Sequence, residues 1–93
     1  MPKYVIERTL PGAGSLSAEE LQAISQKSVE TLDAMAGRAQ WLQSYVTDDK
    51  IYCVYIADDA AAIAEHAANA GFPCDSAKPV RTIIDPTTAE VGG

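Results

Sequence analysis

The pattern of hydrophobic and polar positions along the chain predicts four strands separated by helices and turns. Segments rich in β-branched and aromatic residues predict strands at 3–9, 40–47 and 50–57. A fourth strand is predicted at 78–84, where the early Pro79 is typical of a strand at the edge of a sheet.

Two segments between these strands have the spacing of amphipathic helices. The S-x-x-E pattern that begins at Ser17 predicts a capping box and a helix start, and Gly37 is predicted to end this helix. The second helix is predicted to begin at Asp58 or Asp59 and to run to about Asn69. The stripe of the first helix consists of Leu21, Ile24, Ser25, Ser28, Leu32, Met35 and Ala36.

The order strand, helix, strand, strand, helix, strand is that of a ferredoxin-like βαββαβ sandwich of the α+β class. We expect a four-stranded antiparallel sheet of spatial order 4-1-3-2 with two helices on one face. The third strand, 50–57, is apolar on both faces, which is typical of a strand covered on both sides. We therefore expect a homodimer whose partner subunit covers the face without helices.

Length and composition limit the function classes. The 93 residues are enough for one domain, which we place at 1–86, followed by a frayed tail at 87–93. A formal net charge of −6 with seven basic residues argues against nucleic acid as a partner. No apolar run is long enough for a membrane span, and no signal peptide is recognisable at the start, so we expect a cytoplasmic protein.

Three residues are candidate metal ligands. His66 is the only histidine, and it lies at the flank of the apolar face of the second helix. Cys53 lies on the third strand, where it packs if it faces the helices and could bind a soft metal if it faces the open side. Glu7 on the first strand could approach Tyr52 or Cys53 on the third. Each also has a structural interpretation: a hydrogen-bonded helix histidine, a small core residue and a solvated glutamate.

Aromatic residues on the second and third strands are candidates for a ligand pocket. Trp41 and Tyr45 are four residues apart and are predicted to share one face of their strand. Tyr52 would be the third member of such a pocket. The alternative is simple packing, which is the commoner role of an aromatic pair at this spacing.

Several blocks of the sequence resemble a bacterial family of small proteins of unassigned function, often labelled nickel-binding-protein-like. They are Tyr4-Val5-Ile6-Glu7-Arg8, the segment from Ser44 to Tyr55, Glu65-His66-Ala67 and Ala70-Gly71-Phe72-Pro73. The resemblance implies the ferredoxin-like fold and a dimer of the dimeric α+β barrel type. One branch of this family binds nickel and is richer in histidine than this chain, and Glu7, Cys53 and His66 match family-typical positions.

Three functions are compatible with these observations. The first is a homodimeric binding protein for a divalent transition metal such as nickel, or for a small ligand. The second is a cofactor-free oxygenase or isomerase of the dimeric barrel type, which acts on a small apolar substrate with His66 as base. The third is an interaction module without a site. Convergence of Glu, Cys and His donors would favour the first, and a histidine in an apolar pocket would favour the second.

Overall fold

The computed structural model describes residues 1–90 as a four-stranded antiparallel sheet with two helices. The strand order β2-β3-β1-β4 confirms the predicted order, with β4 at an edge. The strands are β1 (Lys3–Thr9), β2 (Ala39–Val46), β3 (Lys50–Ala57) and β4 (Ser76–Pro79), and the helices are α1 (Ala18–Asp33) and α2 (Ala60–Ala70). None of the helices in this part of the chain is long and apolar enough to cross a membrane.

Period-2 alternation divides the sheet into two faces. On β3, Ile51, Cys53, Tyr55 and Ala57 are buried, and the residues between them are only half-buried. Ser28 of α1 and the α2 residue His66 both lie on the buried side of β3, so both helices cover this helix face of the sheet. The opposite side, which we call the open face, carries Val5, Tyr52, Val54 and Ile56. The prediction of two helices on one face is confirmed.

The helix ends follow the local signals in the sequence. Ser17 caps α1, because its hydroxyl accepts from the Glu20 amide while the Glu20 carboxylate accepts from the Ser17 amide, both at 3.1 Å. Helix α1 ends at Asp33, earlier than predicted, and left-handed Ala36 and Gly37 then turn the chain toward β2. Asp59 caps α2, and left-handed Gly71 ends it.

Strand β4 is shorter and earlier than predicted, and the prediction of 78–84 is wrong in its extent. It pairs only with β1, from Ser76 opposite Glu7 to Pro79 opposite Tyr4. The segment after β4 makes one more backbone hydrogen bond to β1, from the Val80 amide to the Lys3 carbonyl at 2.8 Å. Ile83 and Ile84 are exposed rather than part of the sheet.

The predicted tail at 87–93 is only partly described. Residues Pro86–Ala89 form a short 3-10 helix capped by Asp85, whose carboxylate accepts from the Thr87 amide. Hydrogen bonds from Thr87 are the main reason that the pKa of Asp85 is lowered from its ordinary value. Residues 91–93 lie outside the described part of the chain.

A β-bulge in β2 changes which side chains share a face. Leu42 is the extra residue, because Trp41 pairs with Tyr55 whereas Gln43 already pairs with Val54. An inserted residue reverses the alternation of the strand beyond it. The prediction that Trp41 and Tyr45 share one face is therefore wrong, since Trp41 lies on the helix face and Tyr45 on the open face.

Candidate functional site

A cavity of about 230 Å³ lies between the helix face of the sheet, α1 and the turn that follows α2. Most of its wall is apolar, and polar groups enter it from the sheet and from α1. The lining residues are Arg8, Leu10, Leu21, Ile24, Ser25, Ser28, Trp41, Ser44, Val46, Ile51, Cys53, Tyr55, Gly71, Phe72 and Pro73. A mainly apolar cleft with a few convergent polar groups is typical of a small-molecule site.

The fold brings Arg8 into this wall from β1. It follows Tyr4 and Ile6 on the same face of the strand, and only 4% of its surface is exposed. Its Nε donates to Cys53 Sγ at 3.4 Å, and its Nη1 donates to the Pro73 carbonyl at 2.6 Å. The guanidinium carbon lies 5.6 Å from the centre of the Phe72 ring, within the range of a cation–π contact.

The positive charge of Arg8 has no carboxylate partner in the described part of the chain. The two ion pairs found among residues 1–90 join Arg38 to Glu65 and Lys50 to Glu7. Arg8 Nη2 is buried and has no hydrogen-bond partner among these residues. Burial of an unpaired charge is unfavourable, so this arrangement is unusual for a purely structural arginine.

A second polar group on the wall connects the two helices. The Ser28 hydroxyl lies 3.4 Å from Tyr55 Oη and 3.3 Å from His66 Nε2, and all three residues are buried. The His66 ring also packs against Tyr55, with ring centres 5.2 Å apart, and against Phe72 at 5.9 Å. His66 therefore lies behind the wall, and its hydrogen-bonding contact with a lining residue is through Ser28.

Burial favours the uncharged forms of His66 and Tyr55. Burial is the main reason that the pKa of His66 is lowered, and the nearby Arg8 charge lowers it further. Burial likewise raises the pKa of Tyr55, against the opposing effect of its hydrogen bond with Ser28. His66 Nδ1 is buried without a hydrogen-bond partner among the described residues.

The structure separates the three candidate metal ligands. Cys53 and His66 are buried on the helix side, whereas Glu7 lies on the open face opposite Tyr52. The Glu7 carboxylate accepts from Lys50 Nζ at 2.6 Å, and this hydrogen bond is the main reason that the pKa of Lys50 is raised. Among residues 1–90, no three His, Cys, Asp or Glu side chains are grouped so that they could hold a metal ion.

The three aromatic candidates are also divided between the faces. Trp41 lines the cavity, and its Nε1 donates to Ser44 Oγ at 2.9 Å across the bulge. Tyr45 and Tyr52 form a cross-strand pair on the open face, outside the cavity. The sequence reasoning missed Arg8 and Ser28 as site residues. Their only signal in the sequence was that each lies on the mainly apolar face of its element, and polar residues at such positions are uncommon.

The fold and cavity define a ferredoxin-like α+β domain with a mainly apolar cavity beside the helix face of its sheet. The chain belongs to the family of nickel responsive proteins similar to SCO4226, whose family model matches residues 4–80. This match confirms the resemblance found in the sequence. Its fold is similar to the crystal structure of SCO4226 from Streptomyces coelicolor A3(2), with a TM-score of 0.73 and 16% identity over 88% of this chain and 99% of that chain. No curated protein matches the chain.

Proposed function

We propose that the protein is a binding protein that holds a small, mainly apolar molecule in this cavity. The observation that carries this proposal is the cavity itself, of about 230 Å³ in a 93-residue chain. An apolar cavity of roughly 150 Å³ is enough to admit benzene. The space here therefore suits a single small ring or branched chain with a polar substituent.

The same geometry favours binding over catalysis. The enzyme hypothesis needs His66 as a base, but the ring lies behind Ser28 and not in the cavity wall. Its lowered pKa makes the imidazole a weaker proton acceptor. An interaction module without a ligand would have no use for a cavity that contains a buried, unpaired guanidinium.

Trp41 gives a direct test, because it is the only tryptophan and it lines the cavity. We expect neutral probes such as benzamide to change its fluorescence in a saturable manner. Ser25→Phe places a ring in the cavity and should weaken this binding at least about tenfold. Gln26→Phe adds the same ring on the exposed side of α1 and should leave it unchanged. Equal binding by the two variants would contradict the proposal.

We further propose that the protein works as a cytoplasmic homodimer joined through the open face of the sheet. Val5 and Tyr45 on this face are 38% and 56% exposed, and Tyr52, Val54 and Ile56 lie between them, half-buried. A continuous apolar patch of this kind is typical of a protein–protein contact. Lys3 and Lys78 border it, beside the Glu7–Lys50 ion pair, as a polar rim.

A second candidate function is binding of a divalent transition metal such as nickel, which the family description favours. The net charge of −6 also favours cations. Within one chain the three sequence candidates do not fit a metal ion, because Glu7 is on the other face and Arg8 contacts the Cys53 sulfur. A nickel site would therefore take ligands from two chains, and Glu7 is the one candidate on the proposed dimer face.

Titration calorimetry with nickel, copper and zinc, after removal of bound metal by a chelator, tests this second candidate. We expect Glu7→Gln to weaken nickel binding by about tenfold or more, and His66→Gln to leave it unchanged. Affinity should fall as the pH is lowered, since the ligands must be deprotonated. Loss of binding in His66→Gln alone would place the site inside the domain. Absence of nickel binding in the wild type would contradict this second candidate function.

A further inference from the structure

We propose that the molecule held in the cavity is a carboxylate with an apolar body about the size of a benzene ring, and that Arg8 binds its anionic end. This inference rests on the proposed function, because it names the class of ligand for the same cavity. It is carried by the guanidinium in the wall, which has no carboxylate partner among residues 1–90, and by the apolar surroundings that face it.

The first step is the number of free donors on Arg8. A guanidinium has five N–H donors in a planar fork. Cys53 Sγ and the Pro73 carbonyl use one donor each, and Nη2 has no partner among the described residues. Three donors therefore remain, one on Nη1 and two on Nη2, which is enough for the two oxygens of a carboxylate.

The second step is the environment of this charge. Arg8 is 4% exposed, so water cannot solvate its guanidinium as it would at the surface. Its hydrogen-bond acceptors are a sulfur and a carbonyl, and neither group supplies a full negative charge. An anion in the cavity beside Arg8 would provide that charge. In a low-dielectric environment an unpaired charge is unfavourable, whereas the attraction between opposite charges is strong. Both effects would favour binding of an anion beside Arg8.

The third step is the shape of the rest of the cavity. Beyond Arg8 the wall is formed largely by aliphatic and aromatic side chains from α1, β2, β3 and the turns after β1 and α2, among them Leu10, Leu21, Ile24 and Phe72. At roughly 30 Å³ per water, the volume of about 230 Å³ equals about eight water molecules. An inorganic anion would leave most of this apolar space unfilled. A monocarboxylate with one ring would place its anionic end against Arg8 and its ring in the apolar space.

The inference is tested by comparing sodium benzoate with benzamide, which has the same size and shape but no charge. Binding is followed by Trp41 fluorescence and checked by calorimetry. We expect the wild type to bind benzoate roughly tenfold to a hundredfold more tightly than benzamide. Arg8→Met should remove this preference and retain benzamide binding. Arg38→Met alters an exposed arginine and should keep the preference.

The outcomes separate this inference from the function on which it rests. If the wild type binds benzoate and benzamide equally, the anion inference is overturned and the small-molecule cavity stands. If it binds neither, both are overturned. If Arg8→Met keeps the preference for benzoate, another group recognises the anion and the role of Arg8 is wrong. Should Arg8→Met fail to fold, the wild-type comparison of the two probes decides the ligand class.

Discussion

Replacement of Ile6 by alanine is expected to lower the free energy of unfolding by about 2–5 kcal/mol. Ile6 is fully buried on β1, where it pairs with Cys53 on one side and with Ala77 on the other. Alanine removes its outer carbons and leaves a void in the centre of the helix face. Domains of this size have total stabilities of roughly 5–15 kcal/mol, so the loss is a large share of the total.

Urea unfolding followed by circular dichroism measures this difference, with Ile84→Ala as the matched control. Ile84 is 74% exposed, so the same deletion there should change the free energy of unfolding by less than about 0.5 kcal/mol. A similar, small effect at both positions would show that Ile6 does not lie in a close-packed core. Because Ile6 and Arg8 share a face of β1, that result would also question the position of the cavity.

The elements with strong local signals were predicted well. Strand β3 has the predicted bounds of 50–57, and Ser17 and Asp59 cap the two helices where the sequence placed their starts. These features depend on neighbouring residues: a β-branched run, a capping box and an Asx cap. Such signals act within one turn or one strand, so a single sequence contains them.

The predictions that failed concern features that depend on pairing with strands far along the chain. The extent of β4 depends on its register with β1, in which Pro79 pairs with Tyr4, and nothing near 78–84 shows this register. The bulge at Leu42 likewise reverses the face of every later residue in β2, which separates Tyr45 from Trp41. The local sequence pattern predicts the alternation of buried and exposed residues, whereas the register and the bulges are fixed by pairing across the sheet.

The polar part of the cavity shows a different limit of prediction from sequence. The alternation of β1 places Arg8 on the face of Tyr4 and Ile6, and the stripe of α1 includes Ser28. Arginine is usually exposed, so its position alone would not have identified a buried site residue. The meaning of Arg8 comes from the combination of burial, a free Nη2 and an adjoining cavity, and only the three-dimensional structure brings these together.

The open face of the sheet is expected to form the contact of a dimer, and Val54→Asp should abolish it. Val54 lies at the centre of this face, between Val5 on β1 and Gln43 on β2. In a two-fold dimer the same patch is used by both subunits, so one substitution places two carboxylates in the contact. Each would be buried without a partner, which costs several kcal/mol and outweighs the apolar gain of a modest interface.

Light scattering coupled to size exclusion at micromolar concentration decides this prediction. The wild type should have about twice the chain mass of 9.8 kDa, and Val54→Asp should have the mass of one chain. Val29→Asp makes the same change on the exposed side of α1 and should stay dimeric. A wild-type mass of 9.8 kDa, or a Val54→Asp variant that stays dimeric, would rule out this interface. Retained benzamide binding by monomeric Val54→Asp would show that the cavity, on the opposite side of the sheet, is complete within one chain.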